Sequence, residues 1–308
     1  MSKKTAVLLM SFGTPLDDQQ LVSYYTHIRH GHQPTSQMVE TLRKRYEAIG
    51  GLSPLAKVTR KQVEMVKYQL QKQGFDGIVA LGNAHVAPMI ETVVKQLVEQ
   101  GVSEIFGLPL AAQYSSFNAR MYHGAAKKVL ADYPQVTYHE INGLWDQPAL
   151  QQYWEQAILQ SHDWLALDGT KLLFSAHSLP QMILEHGDPY KKNVEANVLA
   201  IAKRLHLASA DYQLGWQSAG KGSPIPWIGP NFEDVARDLV KAGTKQILSV
   251  PLGFINDNLE IDYDVDIVLK QIVEANGAQF KRAPMPNDDP LLGQAIANKL
   301  LAAGLLNN

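Results

Sequence analysis

Cysteine is absent from the 308-residue chain. That absence excludes disulfides, thiolate metal sites, iron–sulfur ligation and cysteine nucleophiles together. Any metal has to be held by histidine, carboxylate, tyrosine or methionine. An excess of one charge is also missing, because 28 Lys+Arg against 30 Asp+Glu leave a formal net charge of −2. No basic surplus suggests nucleic acid, and no polybasic tract suggests an anionic membrane surface. Long apolar runs are lacking as well. The N-terminal "TAVLLM" is too short for a signal-peptide core or a membrane span, and no other window approaches about eighteen unbroken apolar residues. With 45% hydrophobic residues, the chain has enough apolar side chains for one large core or two medium ones. It reads as a soluble, cytoplasmic protein with no integral membrane association and no nucleic-acid partner.

Short apolar runs alternate with longer amphipathic stretches throughout. Strands are expected at "TAVLLM" (5–10), "DGIVAL" (76–81), "EIFGLPL" (104–110), "VTYHEI" (136–141), "KLLFSA" (171–176), "YQLGWQ" (212–217) and "QILSVPL" (246–252). Helical patterns lie between them, as in 54–73, 87–100 and 231–243, the last followed by Gly243 as a C-terminal stop. Strand–helix alternation over this length predicts an α/β fold built on parallel sheet with helices on both faces.

The chain echoes itself twice. Residues 101–118 align with 243–260 at a constant offset of 142, sharing Gly101/Gly243, Ile105/Ile247, Pro109/Pro251 and Leu110/Leu252. Residues 7–15 align with 172–180 at an offset of 165. Each echo is a strand running into a polar loop, which predicts two similar doubly wound halves. The halves are expected at 1–142 and 143–308, with the final helix packing back on the first. In such sheets ligands sit beyond the carboxyl ends of the strands. Phe12 to Thr14, Gln113 to Ser116, His177 and Asn256 to Glu260 are therefore expected to face one ligand-binding cleft.

Four stretches carry chemistry, each with an ordinary alternative. His177 ends the apolar run "LLFSAHSLP" (172–180). A histidine at a strand end is more often a satisfied structural residue than a base or ligand, but Glu260 stands in the loop after the echoed strand. A His–carboxylate pair can hold a divalent cation or relay a proton. In "NDNLEIDYDVD" (256–266), a helix from about 258 would put Glu260 and Asp264 on one face, and Asp262 and Asp266 on the other. Such a run is either a solvated acidic first turn favoured by the helix dipole or a ladder leading a hydrated cation to a site. In "YYTHIRHGH" (24–32), His27 and His30 are three apart and could share a helical face, without a carboxylate partner for zinc. With Arg29, Arg43, Lys44 and Arg45 the segment reads either as an anion-binding rim or as a basic surface. "GWQSAGKG" (215–222) is nearly a phosphate loop, but Gly222 stands where a magnesium-ligating hydroxyl should be, and Pro224 and Pro226 prevent a following helix.

These stretches together resemble the ferrochelatases, most closely the soluble Gram-positive type. The likeness spans nearly the whole chain: "SFGTP" (11–15), "YYTHIR" (24–29), "RYEAIGGLSPLA" (45–56), "LPLAAQYSSF" (108–117), "SAHSLP" (175–180), "GDPY" (187–190), "GWQSAG" (215–220), "PWIGP" (226–230) and "VPLGFINDNLE" (250–260). The resemblance implies two Rossmann-like doubly wound domains with an interdomain porphyrin cleft. It implies that His177 and Glu260 are catalytic and face the macrocycle centre, with Asp264 behind them on the metal's route. It also implies that Phe12, Arg29, Arg45, Tyr46, Ser53 and Tyr122 bind the substrate's carboxylates and edge.

Three positions depart from that family's usual pattern. Asn258 stands where His is usual, Val268 interrupts the acidic ladder, and Phe12 replaces a tyrosine that can ligate iron. Gln113 fits the wider family's "QYS" rather than the Gram-positive "HFS". The implied activity is insertion of ferrous iron into a porphyrin, with both as substrates, no cofactor required and a monomeric enzyme. Coproporphyrin III is the expected ring; protoporphyrin IX is the alternative. A non-catalytic haem or porphyrin carrier and a cobalt chelatase for another tetrapyrrole are further readings, although the latter generally uses more histidines than the single central one here.

Overall fold

A computed structural model describes residues 4–220 and 224–306. Lys221 and Gly222, the end of the near-phosphate loop, lie outside the described residues. The chain divides into two compact units. The first comprises residues 1–111, 116–144 and 287–308; the second comprises 112–115 and 145–286.

The first unit holds a four-stranded sheet of β1 (Thr5–Ser11), β2 (Ile78–Asn83), β3 (Glu104–Pro109) and β4 (Thr137–Glu140), in the order β2-β1-β3-β4. All its pairs are parallel. Ala6 through Met10 are fully buried on β1, an unbroken apolar run as expected of a parallel strand covered on both faces. Helix Leu55–Lys72 buries Leu55, Val58, Gln62, Val66 and Leu70, one stripe at three- and four-residue spacing. The helix Pro290–Ala302 belongs to this unit, and the turn before it is tied to the first helix. Lys61 pairs with Asp288 at 2.8 Å, and the Gln62 carboxamide donates to the Asn287 carbonyl at 2.9 Å.

The second unit repeats the plan with β5 (Thr170–His177), β6 (Tyr212–Gln217), β7 (Gln246–Val250) and β8 (Gln279–Arg282), in the order β6-β5-β7-β8, all parallel. The sequence echoes coincide with equivalent strands: β1 with β5, and β3 with β7. Their register agrees too. Ala6 faces Ile105 on β3, and the residues at the corresponding offsets, Lys171 and Ile247, face each other across β5 and β7. Strand β8, "QFKR", was not among the seven expected strands. It is a short polar edge strand, and edges are commonly blunted with charge, which erases the apolar signal.

In both sheets the strand order reverses between the first and third strands, at β1/β3 and β5/β7. That switch point is where open α/β sheets leave a crevice at their carboxyl ends. Phe12 follows β1 and His177 ends β5, and the offset of 165 makes them equivalent positions.

Candidate active site

In the second unit, β5 is an apolar strand with one polar member inside it. The Ser175 hydroxyl donates to the Gln217 carboxamide oxygen on β6 at 2.8 Å, so its burial leaves no unpaired hydroxyl. The chain leaving β7 returns against this strand at Gly253, whose N–H donates to the Ser175 carbonyl at 3.0 Å. A Cβ at Gly253 would come within 2.5 Å of the Ala176 Cα, so only glycine permits this approach. The segment Asn256 to Glu260 therefore follows a turn packed directly on β5.

His177 is half-buried, and its Nδ1 lies 2.5 Å from the Ser178 carbonyl oxygen. A carbonyl can only accept, so Nδ1 carries the proton and the neutral imidazole keeps Nε2 unprotonated. The Phe254 ring stands 6.2 Å from the imidazole, centroid to centroid. The Tyr190 hydroxyl donates to the His177 carbonyl at 2.8 Å.

Leu259 and Glu260 open a helical stretch that continues as a π-helical segment, Ile261–Leu269. π-Helical turns are rare and cluster at functional sites. Among the described residues, no hydrogen bond or ion pair engages the Glu260 carboxylate. Asp264 accepts from the Ser218 hydroxyl at 2.5 Å, which ties it to the loop after β6. The opposite side is a separate cluster. Arg282 on β8 makes a bidentate pair with Asp266 at 2.7 and 2.9 Å, and reaches Asp257 at 3.1 Å. Asp262 is pushed up to about 7 by burial, then by Asp257 and Asp266, with Arg282 opposing and Glu260 adding to it. The acidic run therefore divides, with Asp257, Asp262 and Asp266 around Arg282 and Asp264 bonded to Ser218. Val268 is half-buried and contributes no charge.

The first unit builds its own cluster at the end of β1. Gly13 has φ +84, and a Cβ there would fall 2.5 Å from the Val86 Cγ2. Thr14 and Tyr46 are hydrogen-bonded through their hydroxyls at 3.0 Å, and both are buried. Phe12 is 37% exposed and packs on His85 with ring centroids 4.4 Å apart. His85 and His27 share a hydrogen bond between their Nδ1 atoms at 2.8 Å. Burial, followed by the nearby His27 and His30, pushes His85 down to about 4. His85 was not among the expected site residues. It follows the end of β2, and the strand-end reasoning that singled out His177 would have found it too.

Other expected residues are more dispersed. Arg29 is half-buried, its Nε donating to the His32 carbonyl at 3.3 Å. Arg45 is half-buried on helix Ser36–Ala48. The buried Ser53 hydroxyl accepts from the Leu55 N–H at 3.3 Å, at the start of its helix. Tyr122 lies in the core cluster with Met10 and Ile105, where burial raises its phenol pKa.

Three expectations are corrected. His27 and His30 do not share a helical face, because the helix ends at Ile28 and His30 has φ 55. Arg43 does not belong to an anion rim, since Asp18 and Glu40 each hold it at 2.7 Å. Gln113 and Ser115 are buried structural groups, the first donating to the Leu252 carbonyl at 3.4 Å and the second to Asp188 at 3.1 Å.

Comparison with known proteins agrees with this arrangement of sheets and strand ends. The solved structure described as SirB from Bacillus subtilis with Fe3+ superposes with a TM-score of 0.58 at 14% identity, covering 97% of this chain and 95% of that one. The structure of CbiX, described as the terminal enzyme for biosynthesis of siroheme in denitrifying bacteria, gives 0.51 at 14% identity, covering 98% and 99%. At those identities the likeness is one of fold. In sequence, a protein of Geobacillus kaustophilus named coproporphyrin III ferrochelatase is 39% identical over 308 residues, covering 98% of this chain and 96% of its own. A protein of the same name from Listeria monocytogenes is 37% identical over 300 residues, covering 94% and 95%. The profile of the family described as Ferrochelatase matches residues 4–303. With two repeated parallel sheets, a histidine delivered by the central strand of the second, and that match over almost its whole length, the chain belongs to the ferrochelatase family.

Proposed function

We propose that this protein inserts Fe2+ into coproporphyrin III in haem biosynthesis, with His177 taking up pyrrole protons and Glu260 handing over the metal. The observation that carries the reading is the 2.5 Å approach of His177 Nδ1 to the Ser178 carbonyl oxygen: a carbonyl only accepts, which commits Nδ1–H there and leaves Nε2 as a base or transient ligand at the switch point of the second sheet.

The reaction is a redox-neutral exchange. A free-base porphyrin carries two inner N–H protons and nitrogen lone pairs that point inward. Fe2+ sheds its water as it enters the ring, and two protons leave. An imidazole accepts protons near neutral pH with little tuning. A carboxylate attracts the ferrous dication and is a second destination for a proton. Gripping the ring in a distorted form, at the expense of binding energy on its periphery, lowers the remaining barrier.

Among the described residues, no group of three or more His, Asp or Glu side chains could hold a metal ion. An open pair of ligands suits a metal that must be passed on, whereas a closed set would retain it. Asp264 lies four residues beyond Glu260 and is a relay position for the incoming ion. Arg29, Arg45, Tyr46, Ser53, Tyr122 and Phe12 handle the propionates and the edge of the ring, with guanidinium forks suited to carboxylates. Phenylalanine cannot ligate iron, so axial coordination falls to His177. The tetracarboxylate substrate is supported by the names of the relatives above. No described helix is long and apolar enough to cross a membrane. A cytoplasmic, monomeric enzyme without a cofactor completes the reading.

Anaerobic iron insertion into coproporphyrin III and protoporphyrin IX, measured side by side for the wild type and His177→Ala, tests it. The wild type should prefer coproporphyrin III, and the variant should lose insertion while still quenching porphyrin fluorescence on binding. Wild-type turnover in the variant removes His177 from the mechanism. A preference for protoporphyrin IX replaces the substrate.

A further inference from the structure

We propose that Tyr190 is a positioning residue for His177: its hydroxyl fixes the peptide between residues 177 and 178, and through it the acceptor that holds the imidazole proton on Nδ1. The proposal rests on the reading of His177 as the central base. It gives a role to two motifs left without one, "GDPY" and the "QYS" after β3.

Hydrogen bonds converge on the end of β5. The Tyr190 hydroxyl donates to the His177 carbonyl at 2.8 Å. The Ser178 N–H donates to the Gln217 carbonyl at 2.7 Å. The same peptide group is thus held at its C=O by one partner and at its N–H by another, so it cannot rotate. Residue 178 is itself held by its hydroxyl, which donates to the Ile228 carbonyl at 2.6 Å, and the Ser178 carbonyl receives Nδ1–H at 2.5 Å. A backbone acceptor bonded to one ring nitrogen sets which imidazole nitrogen is free.

Tyr190 is itself held. It is 4% exposed and begins helix Tyr190–Arg204, with its ring tilted against Trp216 at 5.8 Å. Its N–H donates to Asp188 Oδ1 at 2.8 Å, and Asp188 Oδ2 accepts from the Ser115 hydroxyl at 3.1 Å. Burial and Asp188 raise the phenol's pKa, so it stays a donor at any working pH. All members of this chain belong to the second unit. Ser115, Asp188 and Tyr190 form a buried line that reaches the half-buried His177, and its end is the proton on Nδ1.

Tyr190→Phe deletes the donor and keeps the ring packed on Trp216. Without it, the 177–178 peptide is released and Nδ1–H loses its fixed acceptor, so the Nε2–H tautomer gains population. We expect kcat for metal insertion to fall about tenfold, with the porphyrin KM changed by less than about twofold.

A readout independent of turnover is the tautomer itself. In the 15N-histidine-labelled protein, with the His177 signals assigned by their loss in His177→Ala, the wild type should show a protonated Nδ1 and a bare Nε2 near pH 8. Tyr190→Phe should move both nitrogen shifts toward each other. Ser115→Ala, which loosens the far end of the line, should move them the same way by less, and carries the test if the first variant does not fold. Unchanged nitrogen shifts with unchanged kcat in a folded Tyr190→Phe overturn the proposal. If His177→Ala keeps its turnover while the shifts move as expected, the catalytic reading fails and the positioning link stands.

Discussion

The Asn258 carboxamide accepts the Ile261 N–H at 3.0 Å, and the Asn258 carbonyl accepts the Asp262 N–H at 2.9 Å, so one buried residue caps the turn that carries Glu260. Asparagine is among the best residues for that position because its side chain satisfies a donor the helix cannot. Asparagine here serves the backbone of that turn and, unlike the family's more usual histidine, has no titratable nitrogen. Replacing Asn258 with alanine should lower stability by about 1 kcal/mol. Thermal unfolding monitored by circular dichroism reads this directly, and an unchanged midpoint would show that the cap contributes nothing.

No described group hydrogen-bonds or ion-pairs with the Glu260 carboxylate, so changing its charge should disturb little else. Glu260→Gln should retain the wild-type melting temperature and porphyrin affinity. Metal insertion should drop by roughly 10²-fold or more, the scale of a lost proton-transfer group. Stopped-flow absorbance with zinc as a fluorescent-product surrogate separates the two quantities. A variant that inserts metal at the wild-type rate would leave the carboxylate without a catalytic task.

Asp262 gives the acidic segment a definite pH signature. Its folded pKa, about 7, lies above the ordinary carboxyl range, so between pH 4 and 7 the folded state binds the extra proton. Stability therefore falls as pH rises through that window, and the loss is complete above it. Asp262→Asn removes the charge that must be buried. The variant should be about as stable as the wild type at pH 5 and more stable at pH 8, by on the order of 1 kcal/mol after allowing for the solvent that reaches the side chain. Urea denaturation at the two pH values checks this, and a variant that is less stable at pH 8 contradicts it.

His85 runs the other way. Its folded pKa, about 4, lies below the unfolded imidazole value, so its contribution is present above about pH 6.5 and is lost as pH falls toward 4. Acidification should therefore destabilise the first unit. His85→Phe, which keeps a ring against Phe12, should make the fall in melting temperature between pH 7 and pH 5 shallower, even if its midpoint at pH 7 is lower for want of the bond to His27. An equal slope in both proteins would mean that the His85–His27 pair titrates as freely in the folded chain as in the unfolded one.

Periodicity and the two echoes determined the plan of this protein: apolar runs short enough for parallel strands, helices between them, and two halves with one topology. They even carried the register, since equivalent residues of β1 and β5 face equivalent residues of β3 and β7. That much is legible because parallel strands are buried on both faces and write their burial into consecutive residues. The position of His177 was legible for a related reason, since an apolar run of this kind ends as a strand and β5 does end there. Strand β8, the partition of the acidic run around Arg282, the pairing of His27 with His85 and the hold of Tyr190 on the His177 carbonyl were not. Each depends on partners outside its own stretch of chain that no local pattern specifies. Which nitrogen of an imidazole carries its proton depends on where a single carbonyl points, and only the folded backbone decides that.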